Sequence, residues 1–492
     1  MGKAKMFAVK AVFSLCAFGL TFLTAGVVPE LRAMTETEFD RLVKLEGVYQ
    51  KDMNYNVIIN GYGTGLRPPD ELQWQQLFRK SAVLDLSAAA SSALPVSHDN
   101  SATIWFPPIG DQGAEGSCVA WSTAYYTKTF QEAIERNRDL SGATWEGSSP
   151  GYPAVAYQDL IFSPDFVYHQ VCNGEDNGSY YSDNMNLIRN IGCSSWEKMP
   201  YDPTQQISWP DESAWRQAPL YRSATGYGWI WTDTDAGIDD LKAWIADYNL
   251  ATISVDAYQY SSLSSEDLWT TDQYSNPSRN HANTVVGYDD DFGPYNENGE
   301  IRYGAFKVAN SWGTEDWDNN NDGFYHISYA CMKQWVEYVF ASIDLVDYNP
   351  QLLAVVNVQH DQRGKCELEF GVGESSSPDT VKNMQQDYML HGGQHPFPSN
   401  NMVIDISEFL PYMNGTEDNF YFSVFDSTAI TGQLNTFSIE LYDDYLSGIL
   451  TGEYHSTDTP LPDGGIKFSI CPDQYRINGY SRYHRVPAGF IP

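Results

Sequence analysis

Basic residues are scarce in this chain of 492 residues. Lys and Arg number 29 against 64 Asp and Glu, a formal net charge of −35. Such a surface repels phosphate backbones and anionic headgroups, so neither nucleic acid nor an anionic membrane surface is an expected partner. The charge gives no guide to substrate. No stretch beyond the first 25 or so residues is apolar enough to span a bilayer, which argues against membrane insertion once a leader is removed. No short internal repeat is visible, so a solenoid is not expected. Cysteine is also sparse, with 7 in all.

Apolar material is plentiful. Hydrophobic residues make up 42% and aromatics 14%, which excludes disorder and supports two or three folded units at this length. Residues 1–26 read as a secretory signal. Lys3, Lys5 and Lys10 precede an apolar run from Ala11 to about Ala25, with small residues at Thr24, Ala25 and Gly26. There is no A-x-A site, and an uncleaved anchor is the competing reading. The expectation is a secreted or extracytoplasmic protein. Export permits disulfides, and Cys172–Cys193 and Cys366–Cys471 are the pairings considered, although sequence does not fix connectivity.

Residues 34–93 read as an N-terminal pro-like segment and linker. Short helices are expected over Thr35–Tyr49 and Glu71–Ser81, broken by NGYGTGLRPPDE with its Gly and Pro. Residues 94–345 form the central region, with a helix from Cys118. Val119, Thr123, Tyr126, Phe130 and Ile134 make one stripe of it. Strand-like runs follow at 251–257, 282–289, 304–312, 323–328 and 338–346. Helices first and strands afterwards give an α+β class. Residues 350–480 alternate in run after run (LLAVVNV, CELEFGV, FYFSVFD, TFSIELYD), which reads as a separate antiparallel β-sandwich.

The chemistry concentrates around DQGAEGSCVAWS, 111–122. A lone cysteine is more often buried and inert than reactive. Cys118, however, follows Gly116 and Ser117 and starts a helix, whose N-terminus favours thiolate over thiol. An ionised Cys118 is therefore expected. His281, in NHANTVVGYDDD, precedes a strand, whereas most other histidines have solvated contexts. Asn310, in ANSWGTEDW, can accept the imidazole N–H and fix its tautomer.

These stretches together resemble the papain-like cysteine peptidases. The family's Q-G-x-x-G-S-C, H-A-x-x-x-V-G-Y and N-S-W-G occur in order as Gln112–Cys118, His281–Tyr288 and Asn310–Gly313. His281 follows Cys118 by 163 residues and Asn310 follows it by 192. The family spacing is about 130–150, so inserted loops are implied. CNGEDNGS and MPYDP extend the resemblance over about residues 94–345.

The resemblance implies a two-lobed fold, one lobe helical and one like a β-barrel, acting on protein or peptide substrates without a cofactor. It implies Cys118 as nucleophile, His281 as base and then acid, and Asn310 as its orienter. Gln112 becomes an oxyanion donor, Trp312 a shield, and Gly178 a flat bed for substrate backbone. Glu115 stands where the family has a disulfide cysteine, and Val119 where it has an aromatic. The long helical propeptide of the family is missing from 34–93, which leaves room only for a shorter one.

Other signals are weaker. Asp318, Asn320 and Asp322 match the first half of a calcium loop, but Tyr329 stands where its Glu belongs. An Asn-rich hairpin is the plainer reading. HGGQH, 391–395, places two histidines four apart across a Gly pair, which argues against a metal-binding helix. His169 and His326 read as satisfied structural histidines. Three functions compete: an exported cysteine peptidase, a catalytically inactive papain-like binding protein, and a transglutaminase-type acyl transferase. The last usually pairs its histidine with Asp, and Asn310 speaks against it. Sequence gives no oligomeric state.

Overall fold

The computed structural model describes residues 29–476 other than 81, 91–92, 375–376, 385–389, 413–419, 427–429, 431, 457–460, 463–468 and 472–473. The signal expected at 1–26 lies outside the described residues.

A 10-stranded sheet spans both the N-terminal segment and the central region. Its order is Glu30–Ala33, Ala82–Asp85, Ser223–Trp231, Tyr338–Asp344, Ala251–Val255, His281–Asp289, Ala305–Ala309, Phe324–Ser328 and Leu268–Trp269. Ser97–Asp99 pairs with His281–Asp289 off this path. Neighbours run antiparallel except Ala82–Asp85 with Ser223–Trp231, and Phe324–Ser328 with Leu268–Trp269. Ala251–Val255 is buried along its whole length, as is His281–Tyr288. Strands covered on both faces read as continuous apolar runs, which is why alternation was weak there.

The helix from Cys118 has three parts: Cys118–Ala120, a π-helical Trp121–Lys128, and Thr129–Glu135. The single apolar stripe is not what forms. Every residue from Cys118 to Phe130 is buried. The wider π pitch rotates polar side chains inward, where Thr127 donates to the Ser122 carbonyl at 2.8 Å. The buried Lys128 ammonium is neutralised by Glu132 and Asp344.

Residues 34–93 do not stand apart. The helix Glu36–Glu46 starts with a capping box between Thr35 and Glu38. Its Leu42 shares a core with Leu66, Trp74, Leu77, Cys118, Tyr181 and Ala282. The N-terminal segment thus packs directly on the helix that starts at Cys118.

The C-terminal runs form two larger antiparallel sheets and a two-stranded one, Ser469–Cys471 with Gln474–Arg476. One has Met402–Asp405, Leu352–Gln359, Gln433–Asp444 and Ile449–His455 in order, with Leu461–Pro462 at Gln433–Asp444. The other has Ser377–Asn383, Cys366–Glu374 and Phe420–Asp426. Phe422 and Phe437 bring them together at 5.9 Å between rings. These sheets pack directly on the central region. Leu352–Val358 is buried on both faces and shares a continuous core with Phe162, Phe166, Leu187 and Trp215. Arg216 adds a two-point ion pair to Glu440 at 2.9 and 3.0 Å.

The disulfides are also corrected. Cys118, Cys172, Cys193, Cys331 and Cys366 are free thiols in buried positions. Cys172 points at the Gln206 carbonyl and Cys193 at those of Ser163 and Ser194, so their side chains are committed elsewhere.

Candidate active site

Strand pairing assembles the site. Asn310 directly follows Ala305–Ala309, whose Ala309 faces Thr284 of the neighbouring strand, three residues beyond His281. A bridge between Asp111 and Trp312 then brings in the loop before Cys118, with the Gln112 amide donating to the Ser311 carbonyl at 2.8 Å. The helix that starts at Cys118 is tied to the same strand through the Ser122 hydroxyl, 2.7 Å from that of Thr284.

His281 Nε2 lies 2.8 Å from Asn310 Oδ1. That oxygen also receives Asn283 Nδ2–H and the Ser311 amide, each at 2.8 Å, so it is an acceptor throughout. Nε2 therefore carries the proton, and Nδ1 is left with its lone pair and no hydrogen-bond partner among the described residues. This is the tautomer a general base needs. The Trp312 ring lies 4.8 Å from the imidazole and excludes water from the His–Asn bond.

The Cys118 thiol is fully buried and shares a core with Leu66 and Ala282. Ala282 is the residue after His281, so thiol and imidazole share one neighbourhood. Burial here opposes the thiolate that the helix start favours. Burial pushes the thiol up to about 12 and the imidazole down to about 4, and in this conformation both are neutral.

The cover is the chain's own segment 62–67. Gln112 Nε2 donates to the Gly63 carbonyl at 3.0 Å, as does Trp312 Nε1 at 3.0 Å. Leu66 pairs in parallel with Ser179, and the Ser179 amide donates to the Gly65 carbonyl at 2.9 Å. A Cβ at Gly178 would fall 2.1 Å from that same Gly65 oxygen. Gly178, expected to bed substrate backbone, beds this segment instead. Gly65, at φ +112°, would put its own Cβ 2.0 Å from the Gly116 carbonyl. Tyr62 closes the end by stacking on Trp312 at 5.2 Å.

Segment 62–67 thus hydrogen-bonds Gln112 and Trp312, packs against Gly178 and, through Leu66, shares a core with Cys118, while His281 and Asn310 are joined to each other. The calcium candidate behaves differently. Asp318 Oδ2 is taken by the backbone amides of Asp322 and Gly323, and Asp322 Oδ1 by that of Phe324. The Asn320 amide donates to Asp267. Asp318 Oδ1 is left without a hydrogen-bond partner among the described residues.

Asn283 is a functional residue that sequence reasoning missed. It holds Asn310 and is held by the hydroxyls of Tyr260 and Tyr325 at 2.6 and 2.8 Å. Its signal was available: two residues beyond His281 on one strand is the same face.

No protein-family model matches the chain, and no curated protein does. Among solved structures it is similar to procathepsin L 3 of the Tenebrio molitor larval midgut. That match has 17% identity over 62% of this chain and 86% of that one, at a TM-score of 0.36. It is similar to the Amb a 11 cysteine protease of ragweed pollen in its proform, at 20% identity over 56% and 73%, with a TM-score of 0.38. It is also similar to the bromelain protease of Ananas comosus with the E64 inhibitor, at 19% identity over 51% and 99%, with a TM-score of 0.34. Likeness at this level defines neither family nor activity, and the site's own geometry must carry the reading.

Proposed function

We propose that the chain is an exported papain-like cysteine peptidase in a latent form, with 62–67 lying in the cleft as a built-in blocker. The observation that carries the reading is the imidazole held at Nε2 by Asn310 and open at Nδ1, beside a thiol at a helix start. Gln112 supports it by already donating to a peptide carbonyl, the contact an oxyanion requires.

In the open enzyme, His281 Nδ1 takes the Cys118 proton as Sγ adds to the substrate carbonyl carbon. Negative charge passes to the carbonyl oxygen, where Gln112 Nε2–H and the Cys118 amide receive it. The C–N bond then breaks, and His281 returns the proton to the leaving amine. Water, deprotonated by the same imidazole, cleaves the thioester and regenerates the thiol. Displacing 62–67 rehydrates the sulfur, removes the cause of its raised pKa, and lets the helix N-terminus favour thiolate. Residues 34–93 serve as the pro-like segment, and the C-terminal sheets, read as a sandwich, brace the helical lobe.

The test is labelling of Cys118 by an epoxysuccinyl reagent near neutral pH, before and after cleavage of the 62–67 segment. A rate that rises on cleavage, together with turnover of a fluorogenic dipeptide that Cys118→Ala abolishes, is the expected result. Slow labelling in both states would instead favour an inactive binding protein, a reading the neutral, buried thiol keeps in play.

A further inference from the structure

Among the described residues, three clusters of carboxylates with histidine, cysteine or further acids have their ligand atoms within 4.8 Å of one another. Two already hold their cations or hydrogen-bond donors. Glu132 and Asp344 pair with the Lys128 ammonium, and Glu132 and Glu135 with Arg136. In the other, His360 Nε2 bonds Asp426 at 3.1 Å and its Nδ1 accepts the Gln362 amide at 3.0 Å.

The third cluster is Glu115, Asp165 and His169, all buried. No Lys or Arg forms an ion pair with either acid among the described residues. Sequence took His169 for a satisfied structural histidine, and both ring nitrogens do have partners: Nδ1 the Ser208 carbonyl, and Nε2 Glu115 Oε1 at 3.4 Å, with Asp165 Oδ1 at the same distance. Asp165 Oδ1 and Glu115 Oε2 meet no hydrogen-bond donor. Unpaired buried carboxylate oxygens are costly and call for a cation.

We propose that Glu115, Asp165 and His169 bind a divalent transition ion of the zinc class. The donors suit it: one imidazole nitrogen and two carboxylates, with the orphan Glu115 Oε2 free to add a fourth contact. The spacing suits it too. Bonds of about 2.0–2.1 Å at tetrahedral angles put ligand atoms about 3.3 Å apart, close to the two observed separations. The supporting contacts are in place. His169 Nδ1 lies 3.1 Å from the Ser208 carbonyl, so it donates there and turns the Nε2 lone pair toward the acids. The Asp202 amide donates to Asp165 Oδ2 at 2.6 Å and leaves Oδ1 to the ion. A 2+ ion with neutral imidazole cancels both carboxylates, whereas an imidazolium would leave one buried negative charge.

Glu115 sits three residues before Cys118, and its carbonyl receives Gln112 Nε2 at 2.7 Å. The ion would clamp that turn to the helix Pro164–Val171. This proposal does not rest on the peptidase reading.

The experiment uses the full chain carrying Cys118→Ala, so that the cleft thiol cannot hold metal. After equilibration with Zn²⁺ and gel filtration, metal content is measured by mass spectrometry. One equivalent per chain is expected, with Tm raised by about 5 °C or more. Asp165→Asn should lose the equivalent. Retention of the metal by a folded Asp165→Asn variant would overturn the proposal. If that variant does not fold, Co²⁺ loaded into the Cys118→Ala chain decides. Visible bands of four-coordinate cobalt without sulfur charge transfer support the site; charge transfer, or no such bands, overturns it. Less than a tenth of an equivalent of zinc with Tm unchanged also overturns it, and the two acids then share a proton.

Discussion

Two regions of this protein hold nearly the same chemical groups and put them to opposite ends. The cleft has Cys118, His281 and Asn310; the C-terminal sheets have His360, Cys366 and Asp426, also buried. In the C-terminal cluster both imidazole nitrogens are committed, one to Asp426 and one to the Gln362 amide. Its thiol lies at the start of a strand, points at the Gln362 carbonyl, and is pushed up first by burial and then by the Asp426 charge. In the cleft, one imidazole nitrogen is left open and the thiol begins a helix. What sets the cleft apart is one uncommitted imidazole lone pair and a thiol at a helix start, the features that nucleophilic activation requires. The identity of the groups does not make this difference.

That contrast can be broken by substitution. In the opened enzyme, Cys118→Ala is expected to abolish dipeptide turnover, by about 10³-fold or more, while Cys366→Ala leaves kcat/KM unchanged. Comparable losses from both would erase the distinction. Gln112→Ala should cost about 10²–10³ in kcat with little change in KM, since its N–H serves charge that develops only in the transition state. Steady-state kinetics on a fluorogenic substrate measure this, and a pure KM effect would refute it.

Gly65→Ala sharpens the contrast from the other side. Its Cβ meets the Gly116 carbonyl, so the covering segment must lift. The Cys118 labelling rate is expected to rise about tenfold in the uncleaved chain, with no change at Cys366; mass spectrometry of labelled peptides separates the two.

The smallest effect is on stability against pH. The folded His281 pKa, about 4, lies below its ordinary 6.5, so the unfolded chain binds the proton more readily. The neutral histidine's contribution is fully present above pH 6.5 and is lost as pH falls toward 4, by about 3 kcal/mol at most. Urea unfolding of wild type and His281→Gln at pH 7 and pH 4.5 checks the sign. Their difference should shrink in acid.

The order Gln112, Cys118, His281, Asn310 was legible because its local contexts were: a glycine turn before a helix, and apolar runs ending in Asn. The strands at 281–289 and 305–309 followed from the same runs. Asn283 was legible by face and was overlooked. The disulfides were misjudged because cysteine spacing does not report where thiols point. The stripe on the long helix was misjudged because covering elements arrive from the N-terminal segment and the sheet, which periodicity does not count.

The sequence by itself determined which side chains could do chemistry and in what order the chain presents them, because turn, helix start and strand are local properties of φ/ψ and burial pattern. Tertiary structure alone decided that the GYGTGL stretch lies over the sulfur and keeps it protonated. It also decided that Glu115 and Asp165 converge on His169. Both depend on desolvation by distant segments, a quantity no local pattern carries.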